Sequence, residues 1–119
     1  MPPRLRWLWV LLLLSCLDSF EPAGARPYAP PDAYHAWWAE IEACARLTGD
    51  LNAIAWYEVP GSRYACPGYS RGCAGWWRPP HTIYMAQASV KERRPVQHEM
   101  LHDLLQRSDH PPVFRTCGV

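Results

Sequence analysis

The sequence lacks an excess of charge of either sign, and it lacks a long apolar run. Its 119 residues carry 12 basic and 11 acidic side chains, which gives a net charge of +1. This balance excludes a basic protein that coats nucleic acid and an acidic disordered tail, so we predict no nucleic-acid partner. The apolar run at residues 7–14 (WLWVLLLL) is shorter than the roughly 20 residues that a membrane-spanning helix needs. The chain is also too short for more than one small domain.

The apolar run follows a basic N-terminal stretch, an order that is typical of a signal peptide. Arg4 and Arg6 precede residues 7–14, as the charged segment of an export signal precedes its hydrophobic segment. A small-x-small cleavage site (AGA) ends at Ala25. We therefore predict a signal peptide at residues 1–25 and an extracytoplasmic protein, either secreted or periplasmic.

A second processing route remains open. Residues 13–16 (LLSC) resemble the bacterial lipobox, and cleavage before Cys16 would leave a lipid-modified cysteine that attaches the protein to a membrane. We favour cleavage after Ala25, because the lipobox would leave a very short hydrophobic segment. Residues 26–31 are rich in proline, and we predict that they form an extended, mobile leader.

The cysteines predict two disulfides. One of the five, Cys16, lies in the export signal, and the other four belong to a domain of about 94 residues, whose core is marginal without reinforcement. We predict the pairs Cys66–Cys73, which closes a local loop, and Cys44–Cys117, which ties the first helix to the C-terminal tail. Buried free thiols are the alternative, whereas the lack of CxxC spacing argues against a four-cysteine zinc site.

Hydrophobic patterning predicts one domain at residues 32–119. An apolar stripe at residues 32–48 predicts an amphipathic helix. The β-branched and aromatic residues 54–59 predict a strand that enters a hairpin at the next Pro-Gly pair, and residues 82–86 predict another strand. A last helix is predicted at residues 95–106. The fold class is therefore α+β, with one packing helix and a small, mainly antiparallel sheet.

The last predicted helix contains the sequence HEMLH, in which His98 and His102 are four residues apart. At about 100° per residue, this spacing places both imidazoles on one face and one turn apart, so that they can bind the same metal ion. Glu99 is offset from the two histidines, where its carboxylate can act as general base toward a metal-activated water. Apolar residues on the opposite face, such as Val96 and Met100, can pack the helix against a core.

A catalytic zinc site normally has three protein ligands and one open position. No glutamate follows Glu99, so the downstream candidates for the third ligand are Asp103, Asp109 and His110. Asp103 is fixed on the helix beside His102 and should point elsewhere. The two prolines after His110 cannot extend a helix, so the chain can reverse and return His110 to the metal. The alternative is Asp109 or water at that position.

Several residues near the strands are weaker candidates for contact with a ligand. His81 and Tyr84 are placed where they could reach a substrate, but such residues are more often structural. Trp56, Trp76 and Trp77 suggest a carbohydrate-binding platform, although tryptophan in a small domain more often belongs to the core.

The arrangement of these motifs resembles the zincin metallopeptidases. The sequence HEMLH, followed after seven residues by HPPVF, is closest in layout to compact SprT-like domains, in which a histidine shortly before an aromatic residue completes the site. The resemblance covers residues 98–114 and, when it is extended to the strand at residues 82–86, lies within residues 82–114. It implies a minimal zincin-like fold with a disulfide-anchored C-terminal tail, in which residues 82–86 form the edge strand that pairs with an extended substrate. The Zn²⁺ ligands that it implies are His98, His102 and His110, and the catalytic base is Glu99.

These observations predict an exported zinc-dependent metallopeptidase that hydrolyses peptide bonds in a peptide or protein substrate. SprT-like proteins act inside cells on protein–DNA adducts, but the export signal, the paired cysteines and the lack of a basic face argue against that substrate here. The alternative is a non-catalytic exported module, stabilised by zinc and disulfides, that binds a cell-wall or protein ligand. A third interpretation is an inactive relative that keeps the motif. The sequence favours no particular oligomeric state.

Overall fold

A computed structural model describes residues 20–119, so that residues 1–19, with most of the predicted signal peptide and Cys16, lie outside the described residues. The described chain is an α+β fold with three helices and two small sheets, as the patterning predicts. In chain order the elements are β1 (Arg26–Pro27), α1 (Ala33–Ala45), β2 (Ala55–Val59), β3 (Tyr64–Cys66), β4 (Tyr69–Cys73), β5 (Gly75–Arg78), β6 (Thr82–Ala86), α2 (Arg93–Leu105) and α3 (Val113–Thr116).

The larger sheet is mixed and has the strand order β1-β2-β6-β5. The outer strands β1 and β5 run antiparallel to their neighbours, whereas β2 and β6 are parallel. The strands β3 and β4 form a separate antiparallel hairpin. The predicted hairpin after residues 54–59 is therefore wrong, because β2 pairs with β1 and β6 while the chain beyond Gly61 enters the second sheet.

The strand at residues 82–86 lies in the interior of the sheet, so its predicted position at the edge is wrong. Ile83 and Met85 pack toward the helices, whereas Tyr84 and Ala86 pack toward the hairpin, and all four are fully buried. A strand that is apolar on both faces is expected inside a sheet that is covered on both sides. On the side of β6 away from β2, the strand β5 forms the edge of the sheet.

The helices α1 and α2 cover one face of the sheet, and the core between them contains several aromatic side chains. Trp56 and Trp77 are buried in this core, as expected for tryptophan in a small domain. A second apolar cluster joins the three helices, and its buried members are Ile41, Leu101 and Phe114. This cluster attaches the C-terminal tail to the rest of the domain.

Both predicted disulfides are confirmed. Cys44 at the end of α1 is bonded to Cys117 after α3, across 73 positions of sequence. Cys66 and Cys73 cross-link the β3–β4 hairpin. Two disulfides in so small a domain indicate an oxidising, extracytoplasmic environment.

Residues 26–31, which the composition predicts to be an extended, mobile leader, include the short strand β1. Arg26 and Pro27 pair with Glu58 and Tyr57 of β2. Tyr28 packs against the main core, and its hydroxyl lies 2.9 Å from that of Tyr34. Proline is compatible with an edge strand, because its missing N–H can face away from the ladder. Within residues 20–119, no helix has the length and apolar character needed to cross a membrane.

Candidate metal centre

The helix α2 and the chain reversal after it bring three histidines together. Helix α2 ends at Leu105, and Gln106 takes the left-handed conformation (φ 54°) that turns the chain back. The Gln106 side-chain amide donates to the carbonyl oxygens of Pro80 and Asp103, each at 2.7 Å, which stabilises this turn. The returning segment then places His110 against the exposed side of α2.

The three imidazoles form a group that could hold a metal ion. The ligand nitrogens of His98, His102 and His110 all lie within 4.8 Å of one another. The Nε2 atoms of His98 and His110 are 3.1 Å apart. All three rings contact Phe114 of α3, with ring centroids 4.6–5.0 Å from that of the phenylalanine. Phe114 is only 4% exposed, so it forms an apolar floor beneath the group.

Hydrogen bonding fixes the orientation of His102. Its Nδ1 lies 2.7 Å from the carbonyl oxygen of Arg107, so the N–H is on Nδ1, and Nε2 keeps an unprotonated lone pair that can bind a metal ion. Outer bonds of this type orient metal-binding histidines and select their tautomer. Asp109 accepts from the Arg107 guanidinium at 2.6 and 2.9 Å. Of the three downstream candidates for a third ligand, His110 is the one that joins the histidine pair.

Asp103 belongs to a buried network behind the histidines. Its carboxylate is 4% exposed and accepts from the Trp77 indole N–H and from Nδ1 of His81, both at 3.0 Å. The Trp77 ring in turn stacks on His102, with centroids 6.2 Å apart and planes 15° from parallel. His81 does not line the cleft described below. Its role in this network is structural, and Trp77, which also lines the cleft, supports His102 by stacking on its ring.

Burial favours the neutral forms of His98 and His102, which metal binding requires. Desolvation, together with the nearby His102 and His110, lowers the pKa of His98 to about 4. Desolvation also lowers the pKa of His102, against a smaller opposing effect of its bond to Arg107. Both nitrogens are therefore available to a cation at neutral pH without first losing a proton.

Glu99 is almost completely buried beside the histidines. It is 6% exposed, and desolvation raises its pKa to about 8, an effect that the backbone amide of Trp77 partly offsets. Gly75 of β5 packs directly on this side chain. A Cβ atom at position 75 would lie 2.8 Å from Cγ and 3.0 Å from Oε1 of Glu99. Because glycine has no Cβ atom, position 75 leaves room for the Glu99 carboxylate.

The histidine group opens into a cleft of about 790 Å³ between the hairpin, β5 and α2. Besides His98, Glu99, His102 and His110, its walls include polar and aromatic side chains from several segments. Those that the sequence analysis did not single out are Arg63, Tyr69, Arg94 and Ser108. No local motif marks them, because the tertiary fold alone brings the hairpin opposite α2. Tyr84, a weaker candidate, lies outside the cleft and donates its hydroxyl to Glu21 at 3.2 Å.

We expect metal binding at pH 7 to release about one proton from Glu99. With a pKa of about 8, roughly nine in ten of these carboxyls are protonated in the metal-free protein at pH 7. A divalent cation on the histidines favours the carboxylate and expels that proton. Calorimetric zinc titrations in buffers of different ionisation enthalpy measure the release. The Glu99→Gln variant should release about one proton fewer, and equal release from both proteins would contradict this assignment.

Replacing Gly75 by alanine is expected to displace the Glu99 carboxylate. The new methyl group would overlap the glutamate Cγ atom. If the protein is a hydrolase in which Glu99 acts, a misplacement of about 1 Å can cost on the order of 100-fold in rate. Zinc content should be unchanged, because position 75 does not contribute a ligand. Gly49→Ala is the matched control, since its Cβ would lie equally close, at 2.8 Å, to Leu104 Cδ1 in the core. The control should lose stability but retain its turnover per folded molecule.

No protein-family model, no curated protein and no solved structure matches the chain. The function is therefore inferred from the histidine group, the buried glutamate and the cleft alone.

Proposed function

We propose that the protein is an extracytoplasmic zinc-dependent peptidase with a minimal zincin-like fold. The observation that carries this proposal is the convergence of His98, His102 and His110 beside the buried Glu99, at the bottom of an open cleft. A purely structural metal site is normally closed by four protein ligands, whereas three ligands facing a cleft leave a position for water or substrate. The buried acid next to that position also supports catalysis, because burial without an ion pair is costly for a carboxylate.

The donor set fits zinc. Three neutral imidazoles are a common ligand set for catalytic Zn²⁺, whose nitrogen ligands at about 2.0–2.1 Å from the ion lie roughly 3.3 Å from one another. The separation of 3.1 Å between Nε2 of His98 and Nε2 of His110 is close to that value. When bound, the ion would polarise the carbonyl of the scissile peptide bond and lower the pKa of a water molecule toward about 7.

The chain itself would move the proton and orient the substrate. The Glu99 carboxylate accepts a proton from the attacking water and delivers it to the leaving amine nitrogen as the C–N bond breaks. The carboxyl is buried beside the metal position, where it can carry this proton from the water to the amine. Because β5 is an edge strand beside the cleft, its free side can pair with an extended peptide.

The test combines metal content with peptide hydrolysis. The oxidised protein should bind one zinc per chain, and His102→Ala should retain less than about a tenth of that. His35→Ala is the control, because this histidine is exposed on α1 away from the site. The wild type should cleave members of a peptide library, lose activity with a chelator and recover it with zinc. A folded wild type without zinc, or a zinc-loaded protein that cleaves no peptide, would refute the proposal.

We propose that the chain is processed before Cys16 rather than after Ala25, because residues 20–25 contact the folded domain. Pro22 is buried, and the Phe20 ring contacts Trp76 with a centroid distance of 5.8 Å. The Arg78 guanidinium donates to the Phe20 carbonyl oxygen at 3.0 Å. Cleavage after Ala25 would remove these contacts from the folded domain, whereas cleavage before Cys16 keeps them.

Mass spectrometry of the exported protein distinguishes the two processing routes. We expect a mature N-terminus at Cys16 that carries a diacylglyceryl group, and we expect Cys16→Ser to abolish the lipid modification. A mature chain that begins at Arg26 would refute the anchor and support the signal peptide at residues 1–25.

A further inference from the structure

The charged side chains of the cleft are almost all basic. Apart from the histidines and the buried Glu99, the charged side chains in its lining are Arg63 and Arg94. No other aspartate or glutamate of the described chain contributes to that lining. Since clefts lined by charges of one sign attract ligands of the opposite sign, the two arginines favour negatively charged ligands in this cleft.

Arg94 lies on the same face of α2 as the metal-binding pair. It is four residues before His98, which places it about one turn, or roughly 6 Å, further along the helix axis. Its positive charge is one of the effects that lower the pKa of His98, so its field reaches the histidine group. Among residues 20–119, Arg94 makes no salt bridge, whereas its neighbour Arg93 contacts Glu40 at 3.7 Å. The positive end of the helix dipole adds to the same potential.

Arg63 supplies the second positive charge from the opposite wall. Its guanidinium donates to the carbonyl oxygen of Gly72 at 3.1 Å, which holds the side chain against the hairpin. The Cys66–Cys73 disulfide cross-links that hairpin. The cleft therefore carries one arginine on the hairpin side and one on α2, and both line it together with the histidines and Glu99.

We infer that the cleft selects peptides that carry a carboxylate near the bond to be cut; this rests on the proposed peptidase function. The carboxylate can belong to an aspartate or glutamate side chain or to a free C-terminus, because the arginines recognise the same group in both. Each partly solvated arginine–carboxylate pair is expected to contribute about a two- to fivefold preference. The preference should weaken with salt, since ions screen charges in a solvated cleft.

Two matched peptide series test this inference with the zinc-loaded protein. In the first, one position on either side of the scissile bond is Glu, Gln or Lys in a peptide with a C-terminal amide. In the second, the same neutral peptide ends in a free carboxylate or in an amide. We expect kcat/KM to be about fivefold higher for Glu than for Gln in the first series, and lowest for Lys. A preference confined to the second series would identify the C-terminal carboxylate as the recognised group.

The arginine variants assign the preference to the cleft. Arg94→Gln and Arg63→Gln should each lower the ratio of kcat/KM between the Glu and Gln peptides. The decrease should be about two- to fivefold for an arginine that pairs fully with the peptide carboxylate. Arg71→Gln is the matched control, because this exposed arginine lies on the same hairpin but outside the cleft lining. It should leave both the ratio and the basal activity unchanged.

A binding measurement separates this inference from the proposed function. The zinc-loaded Glu99→Gln protein is titrated with the same peptides, and binding is followed by calorimetry. Tighter binding of carboxylate peptides that depends on Arg63 or Arg94 supports the inference even if no peptide is hydrolysed, in which case only the peptidase proposal fails. Equal affinity for the Glu, Gln and amide peptides, or a preference that survives in both arginine variants, overturns it.

Discussion

Replacing Glu99 by glutamine is expected to lower kcat by about a thousandfold while the protein keeps its zinc. General acid–base catalysis typically contributes 10²- to 10⁴-fold to rate, and glutamine has nearly the same shape but cannot accept the proton of the attacking water. Glu99 does not belong to the group of donor atoms that could hold the ion, so metal content should not change. Turnover of a cleaved peptide and the zinc-to-protein ratio are the two measurements.

Stability distinguishes a catalytic Glu99 from a structural one. Burial raises the pKa of this carboxyl to about 8, whereas the unfolded chain ionises near the usual value of about 4.3. Between these two values the native state binds more protons than the unfolded state, so Glu99 makes the metal-free protein less stable as pH rises. The neutral glutamine side chain of the Glu99→Gln variant should remove that pH dependence and should not lower stability at pH 7.

Glu92→Gln, at an exposed position just before α2, is the control for activity and should retain full activity. More than about a tenth of wild-type kcat in Glu99→Gln would refute the general-base role.

The parts of the site that the sequence could predict depend on short-range geometry. The spacing of His98 and His102 on one helical face follows from 3.6 residues per turn, whatever the helix packs against. The prolines after His110 similarly indicate a local end to the helix. The disulfide pairs were also accessible, because setting aside the cysteine of the predicted export signal leaves four, which allow only three connectivities.

The parts that the sequence could not predict depend on which segments pair across long separations. Residues 82–86 form an interior strand because β2 and β5 pair with its two sides, and no local pattern specifies either partner. The cleft wall that holds Arg63 is brought to α2 by the same tertiary arrangement. Asp103 does not belong to the histidine group, and its hydrogen-bond partner Trp77 lies 26 residues away in sequence. Such a contact has no signature in either segment alone.

Removing the Cys44–Cys117 disulfide should weaken both the fold and the metal site. The bond closes a loop across 73 positions, and a loop of that length corresponds to a loss of about 4 kcal/mol in the free energy of unfolding. For a domain of this size, such a loss lowers Tm by on the order of 15–25 °C. Cys117 directly follows α3, which carries Phe114 beneath the three imidazoles. The double variant Cys44→Ser/Cys117→Ser should therefore also bind zinc more weakly, by about tenfold or more, because His110 is less well held.

The second disulfide provides the matched comparison for this effect. Cys66–Cys73 spans only seven positions, so Cys66→Ser/Cys73→Ser should lose about 2.5 kcal/mol, and it should leave zinc affinity unchanged, since the hairpin contributes no ligand. Denaturant unfolding gives the stability of each double variant, and competition with a colorimetric chelator at a temperature where both are folded gives the Kd for zinc. If Cys44→Ser/Cys117→Ser kept the wild-type zinc Kd despite its lower stability, the disulfide would stabilise the fold without positioning His110. The burial of Phe114 and the turn at Gln106 would then be sufficient to hold the third histidine.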